Sequence, residues 1–130
     1  MTHERKPGLP EVLLFHEASI TQYGGSEGVR DEGSLLAAIG RPWQASFGQE
    51  HFPSPFEKAA ALMESIIRRH PFVDGNKRTA TASAAYLLST FGYEIEAEQQ
   101  ELEDFAVGVA EGSVESGSIS PWFEEYSSKA

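Results

Sequence analysis

Apolar residues recur along this chain at helical spacing, in short stretches that glycine or proline closes. In the first, Val12, Leu13, His16, Ile20 and Tyr23 fall roughly on one face, Pro10 fits a first helical position, and Gly24-Gly25 stops the helix. Asp31 can cap a short second helix carrying Leu35, Leu36 and Ile39, which ends before Pro42. The stretch from Trp43 to Pro53 has no clear period and reads as a loop. A well-marked start follows. Ser54 is an N-cap, Pro55 sits at the first position and Glu57 completes a capping box; Phe56, Ala60, Met63 and Ile67 then make a buried stripe. Pro71 ends this third helix near His70.

A fourth helix runs from about Asn76 to Phe91, stopped by Gly92. Ala, Thr and Ser cover nearly every side of it, with Ala80, Ala84, Leu87 and Phe91 on one stripe, which suits a central helix with close neighbours. Tyr93 to Ala97 alternates, as a short edge strand or an extended connection would. A fifth helix carries Leu102, Phe105, Ala106 and Val109, and a sixth starts at Ser120-Pro121 and carries Trp122, Phe123 and Tyr126. The pattern predicts an all-α fold of about six helices.

At 130 residues the chain is the size of one domain. No apolar run approaches the roughly 20 residues that span a bilayer. Met1 to Pro10 is polar and shows no secretory signal. No cysteine is present, so disulfides and thiolate metal sites are excluded and a cytoplasmic location is expected. The net charge of −10 argues against a nucleic-acid backbone as partner. Yet Arg68, Arg69, Lys77 and Arg78 are four of only ten Lys plus Arg and lie within eleven residues. Their grouping suggests one small basic pocket for a small anionic ligand; pairing with the surplus acidic side chains is the plainer alternative.

The stretch His70 to Ala80, H-P-F-V-D-G-N-K-R-T-A, carries the chemistry. With only Pro71 to Gly75 between them, the third and fourth helices pack as neighbours with this loop at one end. Gly75 lets the backbone turn and approach a ligand closely. The first N–H groups of the fourth helix lack intrahelical partners and, with the positive end of the helix dipole, form an anion site. Lys77 and Arg78 add full charges there, and an arginine can grip two phosphate oxygens at once. Asp74 offers a hard oxygen ligand of the kind that holds Mg²⁺ together with substrate phosphates. His70 lies across the loop, and an imidazole can take a proton from a hydroxyl at neutral pH. Each residue also has an ordinary reading. Histidines cap helix C-termini, Asp74-Gly75 is a common turn pair, Asp74 or Asn76 could be an N-cap, and Phe72 is a core plug. His16 and His51 read as structural or exposed residues, not catalytic ones. What the ordinary readings leave unexplained is the gathering of all these types in one loop.

His70, Phe72, Asp74, Gly75, Asn76 and Arg78 meet every fixed position of H-x-F-x-[DE]-G-N-x-R, so the loop resembles the signature of the Fic/Doc family. Likeness to its Doc (death-on-curing) toxin subfamily extends to His16-Glu17, Tyr23-Gly24-Gly25, Arg30-Asp31, Arg41-Pro42, Phe56 to Ala60, Phe91 to Tyr93 and Val107 to Ala110. It covers about residues 10 to 126 of what is expected to be a single domain, 1–130. The resemblance implies the Fic fold, with the motif loop between two central helices. It also implies transfer of a phosphate-containing group from ATP, with Mg²⁺, to a Ser or Thr hydroxyl of a target protein. By the same resemblance His70 is the general base, Asp74 holds the metal, and Gly75, Asn76, Lys77 and Arg78 hold the phosphates. Residues 43–53 would be the flap against which a target docks.

AMP-transferring relatives usually have glycine after the asparagine and a second arginine three residues beyond the first. Lys77 and Thr81 stand there instead, as in Doc, whose best-known activity is phosphorylation of translation elongation factor Tu. Gly75 complicates the choice, since some Doc proteins have alanine there. The family's inhibitory pattern [ST]-x-x-x-E-[GN] is not met at Glu27-Gly28, Glu32-Gly33 or Glu111-Gly112, which suits a toxin restrained by a separate antitoxin. AMP transfer and an idle scaffold that only binds a partner are the alternatives.

Overall fold

The computed structural model describes residues 6–130; positions 1–5, part of the polar start, lie outside the described residues. The fold is all-α, with six helices among the described residues: α1 Leu9–Tyr23, α2 Glu32–Gly40, α3 Pro55–Arg69, α4 Asn76–Thr90, α5 Gln99–Glu111 and α6 Ser116–Glu125. A 3-10 turn, Arg41–Trp43, follows α2. Four short strands complete the elements: β1 Ala45–Ser46, β2 Gln49–Glu50, β3 Tyr93–Ile95 and β4 Ser127–Lys129.

α3 and α4 are the central pair and share the most extensive contact. α3 also touches α2, α5, α6 and the 3-10 turn, while α1 and α5 pack against α4. The composition explains the close approach. Ala59, Ala60 and Ala61 on α3 and Ala80 and Ala84 on α4 are all buried, so backbones come together around Leu62, Met63, Ile66 and Leu87. Phe72, Phe105, Ile119 and Phe123 close the core from the motif loop, α5 and α6.

The cap signals work as the side chains dictate. Asp31 accepts from Ser34 N–H at 3.0 Å. Ser54 Oγ accepts from Glu57 N–H at 3.1 Å, and Glu57 accepts in return from Ser54 N–H at 3.2 Å. β3 realises the alternation read at 93–97. Its antiparallel partner β4, in the register Tyr93 to Lys129 and Ile95 to Ser127, carries no alternating signal of its own.

Four expectations need correction. Leu13 and Tyr23 are exposed; the buried face of α1 is Val12, His16 and Ser19, because this helix lies against a polar loop and not only against core. Leu36 is likewise exposed, and Ala38 is buried instead. α6 begins at Ser116, not at Ser120, and carries Pro121 inside it. The ring removes a donor that would have met the carbonyl of Gly117, and that residue is exposed, so water can replace the bond. Finally, residues 43–53 are not an unstructured loop. β1 and β2 form a hairpin across Phe47-Gly48, both at positive φ (53° and 78°), the geometry of a primed two-residue turn.

Ser54→Ala should lower stability by about 1 kcal/mol, whereas Ser54→Asp should retain it, because only an oxygen-bearing side chain answers the Glu57 N–H. Thermal unfolding followed by circular dichroism checks both variants.

Candidate functional site

The motif loop is built from buried posts and exposed working groups in alternation. His70, Asp74 and Arg78 are exposed, while Phe72 and Asn76 between them are buried. α3 ends where His70 takes a left-handed conformation (φ 52°, ψ 55°) and donates its N–H to Ile66 O at 3.0 Å. Histidine tolerates this region better than most residues, and Pro71 prevents the helix from continuing. Phe72, fully buried, stacks on the His16 ring with centroids 3.9 Å apart and planes 8° apart.

Asn76 then locks the turn. Its Oδ1 accepts from Phe72 N–H at 3.0 Å and its Nδ2 donates to Phe72 O at 2.9 Å. The carboxamide expected to face phosphate is therefore spent on the loop, and Asn76 has its backbone N–H, at the start of α4, left for an anion. Gly75 caps α4 at φ 80°. A Cβ there would also meet Ser19 Oγ at 3.3 Å and Ile20 Cδ1 at 3.4 Å, so both conformation and space call for glycine.

Read from sequence, the α1–α2 connection stops one helix at Gly24-Gly25, caps the next with Asp31 and carries a family likeness. The connection braces the loop. Arg30 Nε donates to His70 O at 2.7 Å and its guanidinium donates again to Arg69 O at 2.8 Å, meeting carbonyls that the end of α3 leaves unpaired. The N–H groups of Arg30 and Asp31 both reach Pro71 O, and Val73 N–H reaches Gly28 O, around an antiparallel bridge from Val29 to Phe72. Ser26 N–H donates to Asp74 Oδ2 at 2.8 Å. His16 Nε2 lies 2.8 Å from Asp74 O; a carbonyl only accepts, so this nitrogen carries the hydrogen. His16 is thus structural, as read, and His51 is exposed and bonded to Ser46 Oγ at 2.7 Å. The Ser34 N–H, with Arg30 adjacent, holds the Asp31 carboxyl below its ordinary range.

Asp74, Gly75, Asn76, Lys77 and Arg78 line one end of a groove of about 540 Å³ between α1 and α5, with α4 as its floor. Small side chains, among them Ala18, Ala82, Ala85 and Ala106, leave it open. Arg78 stacks its guanidinium over Tyr23, 3.9 Å from the ring centroid. His70 is exposed and does not line this groove. Arg68 and Arg69 are also elsewhere. The single basic pocket expected from the sequence is two clusters, because α3 and α4 carry their cations on different faces of the loop.

For a metal, one oxygen of Asp74 takes the Ser26 N–H, and the described residues hold no group of three or more acidic or histidine ligands. That donor set fits an ion held mainly by the phosphates of a nucleotide, with one protein carboxylate, which is how Mg²⁺ is usually bound.

Residues 8–88 match the profile of the Fic/DOC family. The chain is 38% identical over 109 residues to the protein of Escherichia phage P1 named protein kinase doc, an overlap of 84% of this chain and 85% of that protein. To toxin Doc of Mycolicibacterium smegmatis (strain ATCC 700084 / mc(2)155) it is 45% identical over 76 residues, or 58% of each chain.

Asn76→Ala should cost about 2–4 kcal/mol, since it leaves a buried N–H and a buried C=O without partners. Lys77→Ala, on an exposed side chain, should change stability by less than about 0.5 kcal/mol. Chemical denaturation of the two variants checks the contrast.

Proposed function

The chain belongs to the Fic/DOC family, and on that footing we propose that it is a Doc-like toxin transferring the γ-phosphoryl group of ATP to a Ser or Thr hydroxyl of a target protein. The observation that carries this reading is the convergence, at the mouth of one groove, of the unpaired N–H groups of α4, Lys77, Arg78 and the Asp74 carboxylate. The relative from phage P1, named a protein kinase, supports the choice of reaction. By the family resemblance the target is a translation factor such as elongation factor Tu.

In this reading the phosphates of ATP lie on the first turn of α4, where Lys77 and Arg78 offset charge spreading over the phosphate oxygens. Asp74 would hold Mg²⁺, which supplies further charge neutralisation when bound. The acceptor oxygen attacks the γ-phosphorus in line, the bond to the β-bridging oxygen breaks, and ADP leaves. His70 takes the hydroxyl proton. His70 does not line the groove and is exposed, so it is open to the protein substrate while the cations take the nucleotide. The β1–β2 hairpin, within the proposed flap 43–53, would dock the target.

Two features weigh against AMP transfer. That reaction needs the α-phosphate beside the acceptor, and so the nucleotide reversed along the loop. Lys77 adds bulk and charge where AMP-transferring relatives have glycine. Thr81 replaces their second arginine, and its hydroxyl is turned onto Lys77 O at 2.9 Å.

Incubation with a bacterial lysate and labelled ATP tests the assignment. Label should reach a protein from the γ-position and not the α-position, and His70→Ala should slow it by roughly 10²–10⁴-fold. Asp74→Ala should abolish Mg²⁺-dependent ATP binding in calorimetry. Label arriving from the α-position and lost in His70→Ala would falsify the kinase reading.

A toxin of this kind needs restraint, and the open groove along α4 can receive an amphipathic helix of a small antitoxin. Expression of the chain should arrest bacterial growth, and co-expression of the neighbouring gene product should relieve the arrest and co-purify; no binding and no relief would remove that partner.

A further inference from the structure

Arg68 and Arg69 line a second cleft, of about 360 Å³, with Glu64 and Ser65 of α3, Arg41 of the 3-10 turn and Ser116 at the start of α6. Its charges are unevenly matched. Glu64 accepts from Arg68 Nε at 2.8 Å and from Ser116 Oγ, so one guanidinium is neutralised inside the fold. Arg41 and Arg69 make no ion pair among the described residues; Arg41 lies over the Phe52 ring, 5.3 Å from its centroid. Two uncompensated guanidinium groups thus share a cleft on a chain of net charge −10.

The cleft is joined to the proposed general base through the chain. Arg69 precedes His70 directly, and Arg30 donates to the main-chain carbonyls of both residues, which holds the backbone that joins the cleft to His70. The nucleotide phosphates have their own cations, Lys77 and Arg78, in the other groove.

We propose that this cleft binds acidic side chains of the polypeptide that carries the acceptor hydroxyl. The reading rests on the transferase assignment above and adds a rule for its protein substrate: aspartate or glutamate close to the serine or threonine. Glu64 supplies the precedent within the molecule, a carboxylate held by an arginine and a serine hydroxyl in the same cleft. A second carboxylate, from the substrate, meets Arg41 and Arg69, whose planar forks match its two oxygens. Overall charge sharpens the selection. The net negative charge disfavours an acidic segment over most of the surface, and with Lys77 and Arg78 taken by the nucleotide, attraction at this cleft orients the segment as it arrives.

The test has two arms and one variant, Arg41→Gln/Arg69→Gln, checked by its melting curve. In the first arm, the peptide acetyl-Glu-Glu-Thr-Glu-Glu-amide is titrated into the isotopically labelled protein and followed by NMR. Shifts should centre on Arg41, Arg69 and Ser116, and binding should weaken by at least about tenfold in the variant and on raising salt from about 0.05 to about 0.5 M. Shifts centred elsewhere, or equal affinity in the variant, overturn the cleft. In the second arm, transfer from labelled ATP to the lysate target is compared. The variant should bind ATP as the parent does, yet label the target at least about tenfold more slowly at limiting target. Equal labelling overturns the substrate rule even if the peptide binds. If the parent labels nothing, the transferase assignment is what fails, and the substrate rule falls with it, while the peptide arm still decides whether the cleft takes carboxylates.

Discussion

Two hydrogen bonds between the Asn76 carboxamide and the main chain of Phe72 hold the geometry on which the rest of the site depends. The Phe72 peptide groups are buried and would be costly to leave unpaired. With both satisfied by one side chain, the turn between α3 and α4 has a single closed form. The Phe72 ring fixes this turn to the core and to His16, and His16 in turn holds the carbonyl of Asp74. Three buried groups therefore interlock beneath the exposed ones. His70, Lys77 and Arg78 can stay in water because none of their side chains has to hold the loop together, while Asp74 spends one carboxylate oxygen on the Ser26 N–H and is otherwise exposed.

The brace from residues 25–31 works by the same economy. It supplies mostly main-chain groups, from Ser26, Gly28, Arg30 and Asp31, so it approaches the motif closely without filling the space a ligand would use. Gly25, at φ 117°, shows how close: a Cβ there would meet Asp74 Cβ at 3.3 Å. Arg30 is the exception that uses its side chain. A guanidinium at the C-terminal end of α3 meets two carbonyls that the helix cannot satisfy and favours the negative end of its dipole.

The hairpin is held by a lysine that is almost fully buried. Lys58 Nζ donates to Glu50 Oε1 at 2.6 Å and to Phe52 O, with the Trp43 ring 5.4 Å away. A buried ammonium persists only where it is paired in this way. The hairpin is thereby tied to the central helix, while Phe47 at its tip is fully exposed. A turn that places a phenylalanine at positive φ and in water is locally unfavourable, which is why nothing in Q-A-S-F-G-Q announces a hairpin.

Local physics made most of the helices legible in advance. Ser54-Pro55 with Glu57, Asp31, and the stops at Gly24, Pro71 and Gly92 act within one turn of chain, and side-chain spacing exposes the buried faces of α3, α4 and α5. The motif likewise announced the family, since residue types at fixed separations survive folding unchanged. Which groups would stay free to act was not legible. The carboxamide of Asn76 turned inward because buried peptide groups four residues back demanded partners. Arg68 and Arg69 parted from Lys77 and Arg78 because a loop of a few residues reverses the chain and sends neighbours in sequence to different faces. The brace, the Lys58 tie and the β3–β4 pairing join segments far apart in the chain, and no period within either segment encodes the other. Local signals thus fix most of the helices and the residue types in the loop, whereas long-range burial and hydrogen-bond satisfaction choose which side chains support the loop and which face solvent.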